Sequence, residues 1–322
     1  MKILYAGYRD HNHSKYGGYD YIRYYPESVY LDAATLPLGH IPAGKRGKRL
    51  NLMVLDYFAR KEKNLFDIIH FFYGDVCLFK PKPKESFAKF ISTIHLKSEI
   101  LSKSKLNILK SHDGVISLST SETERLKELG VNSYFIPHGF PMPLFERKSY
   151  DDFDVDFINV FYSGMNYRDF DTFYKIARYC LEKKLSIRFY AVGQSPYNKE
   201  KLKDLSNVVI CPRLEDDAYY SLLSQCDYNF LPLTFATANN ALLEAQALGI
   251  ISIIPKITGI TDYAECEHNL FYSSYDDIVA LFDNLSKSVI NNNLSEFSKS
   301  FLWENIYSQL KRVYEDVLRN SK

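Results

Sequence analysis

The chain has 322 residues, 46% hydrophobic and 25% charged, with 40 basic and 39 acidic side chains. That composition excludes a disordered, collagen-like or coiled-coil protein, and the near-neutral balance argues against a general nucleic-acid binder. The charge is unevenly placed, net +8 over residues 1–148 and net −7 over 149–322. Two units with different ligands would show this, and so would drift in surface charge.

A domain of ~100–200 residues predicts two domains. Strand-length apolar runs recur along the first half: Ile3–Ala6, Asp67–Tyr73, Phe90–His95, Val115–Leu118 and Tyr134–Ile136. Most are continuous rather than alternating, as strands buried on both faces of a parallel sheet require. Helices are predicted between them at Leu50–Lys63 and Ser121–Leu129, the latter with a capping box of Ser121 and Glu124 and a stop at Gly130. Residues 137–156 hold Pro137, Gly139, Pro141 and Pro143, then an acidic run, and read as an interdomain linker.

The alternation then restarts. Strands are predicted at Phe157–Tyr162, Ile187–Val192, Val208–Cys211, Tyr228–Leu231 and Ile250–Ile254, with helices at Asp171–Lys183, Asp216–Ser224 and Asn240–Leu248, and a short apolar piece follows near Leu270–Tyr272. Leu302, Ile306, Leu310, Val313 and Val317 form an apolar stripe along a predicted C-terminal helix, Leu294–Leu318. The fold class is therefore α/β, two Rossmann-like doubly wound domains. Their expected spans are 1–140 and 157–293, with a linker at 141–156 and a final helix at 294–322.

Five dispersed cysteines without a CxxC pair predict free thiols in a reducing compartment, and neither a disulfide frame nor a zinc site. The opening MKILYAG is too short for a signal-peptide core, and the longest apolar stretch, near Ala247–Pro255, is about half a membrane span. A soluble, cytoplasmic protein is expected. There is no GxGxxG after the first strand, and no P-loop, GxSxG or HExxH.

The informative stretch is FLPLTFATANNALLEAQALG, Phe230–Gly249. A buried strand ends at Pro232, a loop of small residues follows, and a helix begins near Asn239 and Asn240. The free N–H groups and positive dipole end of that helix suit a diphosphate. Glu244 lies one turn on, placed to accept hydrogen bonds from ribose hydroxyls. Spacing alone equally allows Asn239 as a plain N-cap and Glu244 as a solvated helix residue.

With IISIIPKITGITDYAE after it, this stretch resembles the donor-binding region of retaining GT-B glycosyltransferases of the group 1, family-four type. Glu244 with Ala245, Ala247 and Gly249 is similar to the family's helix carrying the second Glu of a Glu-x7-Glu pair; Ala236 stands where the first Glu belongs. Val160–Asp169 resembles the loop that grips the pyrophosphate. Ser163 and Gly164 keep its turn, Met165 replaces its Arg, and Arg168 is the nearest cation. Ala191–Gly193 with Gln194, and Val209–Leu214, resemble the family's next strand turn and its base-reading loop. In the first half, Gly17-Gly18-Tyr19 is similar to the Gly-Gly loop, His95 to the cleft histidine, and His138 to part of the hinge.

The resemblance implies a GT-B fold with its two domains facing a cleft and the final helix crossing back to the first. It implies catalytic roles for His95 and Arg168. Donor binding would fall to Gly18, Ser163, Gly164, Arg168, Leu214, Thr237, Asn239, Asn240 and Glu244, and acceptor binding to Gly17, Tyr19 and His95. The implied reaction moves a sugar from a nucleotide-diphosphate-sugar co-substrate to a glycan or lipid-linked acceptor, with retention, no metal and no other cofactor. No nucleic acid is expected as a partner. Asp154-Val155-Asp156 is the metal motif of the other large glycosyltransferase fold, but it precedes a strand instead of following one. Ala236 and Met165 leave open a non-catalytic partner protein that binds nucleotide or glycan without turnover, and an epimerase-like enzyme needs no acceptor. Lys45, Arg46, Lys48 and Arg49, expected in one loop, and Lys80, Lys82 and Lys84 in another, suggest peripheral contact with an anionic membrane face or a phosphate-bearing acceptor; solvated loops would carry the same residues.

Overall fold

The computed structural model describes residues 1–8, 19–26, 28–36, 45–140 and 156–319, with the backbone alone at Asp20 and 45–48. The chain divides into two compact units, Met1–Pro141 together with Phe301–Lys322, and Met142–Ser300.

Unit 1 contains β1 (Ile3–Gly7), β2 (Ser28–Asp32), α1 (Lys45–Lys61), β3 (Ile68–Phe71), α2 (Gly74–Cys77), β4 (Lys89–Ile94), α3 (Lys103–Lys110), β5 (Gly114–Ser117), α4 (Thr120–Glu128) and β6 (Ser133–Phe135). Its strands form one six-stranded sheet in the order β2-β1-β3-β4-β5-β6, parallel throughout. Every residue of β1, β3 and β5 is buried, which explains their unbroken apolar sequences. The edge strand β2 is half-exposed and carries no comparable run.

Two boundaries differ from expectation for local reasons. Helix α4 is capped by Ser119, whose hydroxyl accepts from the N–H of Glu122, so the cap lies two residues before Ser121. Helix α1 starts at Lys45, which makes the basic cluster Lys45–Arg49 the first turn of a helix and not a loop.

Unit 2 contains β7 (Ile158–Ser163), α5 (Phe170–Glu182), β8 (Ile187–Val192), α6 (Pro196–Leu202), β9 (Val208–Cys211), α7 (Asp216–Gln225), β10 (Tyr228–Phe230), α8 (Asn240–Ala247), β11 (Ile251–Pro255), β12 (Leu270–Tyr272), α9 (Tyr275–Asp283) and α10 (Asn292–Ser298). Its parallel sheet runs β12-β11-β10-β7-β8-β9. The order reverses between β7 and β10, and outside the carboxyl ends of those strands a doubly wound sheet leaves a ligand crevice.

The single C-terminal helix expected from Leu294 is in fact two. A tight turn at Lys299–Phe301 separates α10 from α11 (Trp303–Arg319). The break has a cause: Phe140 donates its N–H to Phe301 O at 3.0 Å and accepts from the Trp303 N–H at 3.3 Å, a pairing that a continuous helix would preclude. Helix α11 buries Trp303, Ile306, Leu310, Val313, Tyr314 and Val317 within unit 1.

A buried polar chain ties α11 to this sheet. His70 in the middle of β3 meets Tyr314 Oη at 2.7 Å through Nδ1 and Thr93 Oγ1 at 2.8 Å through Nε2. Tyr5 Oη lies 3.3 Å from Tyr314 Oη, and Tyr19 Oη lies 3.0 Å from Thr93 Oγ1. Burial pushes His70 down to about 3. His112, with Ser92 Oγ 2.8 Å from Nδ1, is likewise pushed down to about 3, chiefly by burial and then by Arg60, Lys82 and Lys105. Both imidazoles are thus neutral in the folded chain.

Two outcomes follow for unit 1. Tyr314→Phe should cost about 1–3 kcal/mol in denaturant unfolding, because it strips His70 of a buried partner. The unfolded chain takes up each of these protons near 6.5 and the folded chain only near 3. Stability should therefore fall as pH drops below 6.5, by roughly 1.4 kcal/mol per pH unit for each histidine, and His112→Asn should halve that slope.

Candidate functional site

The site is built at the β7/β10 reversal. β7 ends at Ser163, and the chain turns at Gly164, where φ is +82°. A Cβ there would also lie 3.0–3.3 Å from the Arg168 guanidinium, so the position needs glycine twice over. Arg168 folds back against this turn, its Nε donating to Ser163 O at 2.8 Å and Nη1 to Asn166 O at 3.3 Å. The loop after β10 is stitched to the same segment. Arg168 pairs with Leu233 as an isolated bridge, the Asp169 N–H donates to Pro232 O at 2.8 Å, and the Thr234 N–H donates to Tyr167 O at 3.0 Å.

That loop delivers the chain to α8. Asn239 is its N-cap, with Oδ1 accepting from the Leu242 N–H at 3.1 Å. Gly259, at φ +89°, supports the loop from outside: a Cβ there would lie 2.1 Å from Ala236 O. Thr237 and Ala236 are buried, and Asn240 half-buried.

Glu244 is not a solvated helix residue; only 9% of its surface is exposed. Its Oε1 accepts from Tyr220 Oη at 3.0 Å, and the Tyr219 hydroxyl reaches it as well. Tyr219 Oη also lies 3.0 Å from Ser163 Oγ, so the β7 end, α7 and α8 share one polar cluster. Loss of water above all, with a smaller push from Asp216, raises the Glu244 carboxyl to about 7 against the opposing pull of the two tyrosine hydroxyls and Arg168. Burial in turn lowers Arg168 from the usual guanidinium range, while Tyr219, Tyr162 and Glu244 favour its charge. A buried cation, a carboxyl poised near neutrality and the positive end of a helix thus converge on one crevice. Such a site can hold an anion beside hydroxyl groups.

Of the residues implied by resemblance, Ser163, Gly164, Arg168, Thr237, Asn239, Asn240 and Glu244 gather here. Two have another task in this structure: Asn239 spends its side-chain oxygen on the α8 cap, and Leu214 packs on the apolar cluster around Tyr190, Val192 and Leu222. Tyr219 and Tyr220 were missed. A pair of tyrosines in a predicted helix reads as core, and only the placement of α7 beside α8 turns their hydroxyls toward Glu244.

Gly17 and Gly18 of unit 1 lie outside the described residues, as do Asp154 and Val155 of the DxD run in unit 2. Tyr19 is enclosed, its hydroxyl on Thr93 and its ring edge-on to those of His95 (5.1 Å), His138 (5.3 Å) and Trp303 (5.6 Å). In this structure its ring packs edge-on against His95. The His95 ring packs on that of Tyr73 at 4.6 Å, and its backbone N–H donates to Asp75 Oδ2 at 3.2 Å. Among the described residues, one trio of Glu265, Glu267 and His268 brings ligand-type atoms within 4.8 Å. There Glu265 Oε2 is already engaged by His268 Nδ1 and by the N–H groups of Glu267 and His268.

The whole chain is similar to solved structures of the GT-B class. It aligns with sucrose-phosphate synthase from Thermosynechococcus elongatus at 18% identity and TM-score 0.66, covering 99% of this chain and 89% of that one. It aligns with HepE of Anabaena in complex with UDP and glucose at 14% identity and TM-score 0.68, covering 98% and 100%. The lipopolysaccharide outer core galactosyltransferase WaaB gives 13% identity and TM-score 0.68, covering 97% and 98%. No curated protein sequence matches. The fold is thus GT-B, two Rossmann-like α/β units. Residues 157–291, which hold the unit 2 residues just described, match the family model of group 1 glycosyl transferases.

The raised Glu244 carboxyl has a measurable sign. The unfolded group ionises near 4.5 and the folded one near 7, so the folded state holds the extra proton between those values. Stability of unit 2 should fall by about 3 kcal/mol as pH rises from 4.5 through 7. Glu244→Gln should remove that fall and melt higher than the parent at alkaline pH.

Proposed function

We propose that the chain transfers a sugar from a nucleoside-diphosphate-sugar, held in the β7/β10 crevice of unit 2, to a glycan or lipid-linked acceptor recognised by unit 1. The observation that carries this reading is the juxtaposition of Arg168 and Glu244 at the reversal of strand order. Arg168 neutralises the departing diphosphate together with the α8 N-terminus, so no metal is called on. Glu244, once ionised, accepts from the ribose hydroxyls, exchanging a tyrosine donor for a sugar one. HepE in complex with UDP-glucose and a pneumococcal O-GlcNAc transferase in complex with UDP and GlcNAc support a nucleotide sugar as the donor class. Retention of configuration at the anomeric carbon is part of the proposal, as are His95 as the catalytic group of unit 1 and the cytoplasm as the place of work.

A second reading rests on Ala236, whose buried methyl stands where the family resemblance implies a carboxylate. On that reading the chain is a partner protein that binds nucleotide without turning it over. Release of nucleoside diphosphate from a donor in the presence of glycan acceptors separates the two.

The direct test is a thermal-shift screen against UDP-, GDP-, ADP-, TDP- and CMP-sugars, in which a donor at 100 times its Kd should stabilise by ~2.7 kcal/mol. Glu244→Ala should then weaken nucleotide binding roughly ten- to a hundredfold in calorimetry, and Glu244→Gln less. Wild-type affinity should rise as pH passes through 7, since the ribose hydroxyls favour the carboxylate, while the Gln variant stays flat. Equal affinity across all three proteins would remove Glu244 from the site.

A further inference from the structure

We propose that the outward face of α1 docks the protein on an anionic lipid surface. The helix is two-faced in an unusual sense, because both of its faces are apolar. Leu52, Leu55 and Ala59 point into unit 1. On the other side Leu50, Met53 and Tyr57 form a single line at helical spacing, with exposures of 41%, 45% and 54%. A soluble helix places polar residues there. The stripe is bounded by exposed Arg49 at one end and exposed Lys61 at the other, with Lys61 Nζ 5.1 Å from the Tyr57 ring centroid.

Charge identifies the occupant. The α1 sequence, KRGKRLNLMVLDYFARK, has six basic residues and one acidic one. That acid, Asp56, is buried and paired with Arg60 at 2.9 Å. Arg60 also donates to Pro81 O at 2.6 Å and to Lys80 O, which holds the 80–84 loop beside the end of the helix. In that loop Lys82 is paired with Asp113, while Lys80 and Lys84 remain exposed, with Glu85 the exposed carboxylate next to them. A cationic rim around an apolar stripe suits an interface where acyl chains meet anionic headgroups. A second copy in two-fold contact would set this cationic helix against itself, and a soluble polyanion has no use for the stripe. None of the described helices is long and apolar enough to cross a membrane, so α1 lies along the surface.

The test is co-sedimentation of the full chain with phosphatidylcholine vesicles, with and without phosphatidylglycerol. Wild type should pellet with the anionic vesicles alone, and less at high salt. Arg49→Ala and Lys61→Ala should each lower partitioning about fivefold, and the double variant Met53→Ser/Tyr57→Ser roughly tenfold. Melting and nucleotide affinity should stay at wild-type values in all three, as expected of exposed positions outside the crevice. As an independent readout, the Tyr57→Trp variant should shift its emission to the blue when anionic vesicles are added, against the single native tryptophan, Trp303, which is already buried. Equal partitioning of wild type onto neutral and anionic vesicles, unchanged partitioning of the variants, or an unshifted emission from Tyr57→Trp would overturn the proposal. A dimer that Met53→Ser/Tyr57→Ser converts to monomer without any vesicle effect would instead make the stripe a contact between copies.

Discussion

Every strand in both sheets runs parallel to its neighbours, and this constraint sets the position of everything else. Parallel neighbours need crossover connections, so each strand's carboxyl end opens into a loop that leads to a helix. Where the order reverses, two such loops diverge and leave a crevice. In unit 2 those are the loops after β7 and β10, and the hydrogen bonds between residues 167–169 and 232–234 fix them to one another. The chemistry collects there because one loop carries Arg168 and the other leads to the N-terminus of α8.

Within the crevice, electrostatics follows from enclosure. Removing water from Glu244 costs more than Tyr219, Tyr220 and Arg168 return, so the carboxyl hovers near its neutral form. An entering ligand that offers hydroxyl donors and an anion changes both sides of that balance. The same logic with opposite sign governs His70 and His112 in unit 1, which burial keeps neutral. The two units therefore respond to acid in opposite directions over part of the same range.

Much of this was legible in the sequence because buried parallel strands write themselves as continuous apolar runs. Ile187–Val192 and Val208–Cys211 fall at the same residues in sequence and structure. Strand β2 was not legible, since SVYLD sits on an edge and is only half-buried. The break at Lys299–Phe301 was hidden because its cause is Phe140, more than 150 residues away in sequence. At the site, Arg168 and Glu244 could be named from short motifs, but the burial that decides how Glu244 titrates could not. That property belongs to α7, whose tyrosines carry no local signal of the helix they will face.

The placement of α11 has a consequence for how the molecule comes into being. Unit 1 is discontinuous: its sheet is encoded in the first 141 residues, but Trp303, Leu310 and Tyr314 arrive only with the last stretch of chain. On the ribosome, unit 2 is complete in sequence while unit 1 still waits for its closing helix. His70 and Thr93 are then without the Tyr314 hydroxyl, and the apolar surface that α11 will cover stays open to other chains. The sheet of unit 1 is thus made before unit 2, and the helix that closes it after unit 2. A premature stop early in α11 would strand unit 1 in that aggregation-prone form.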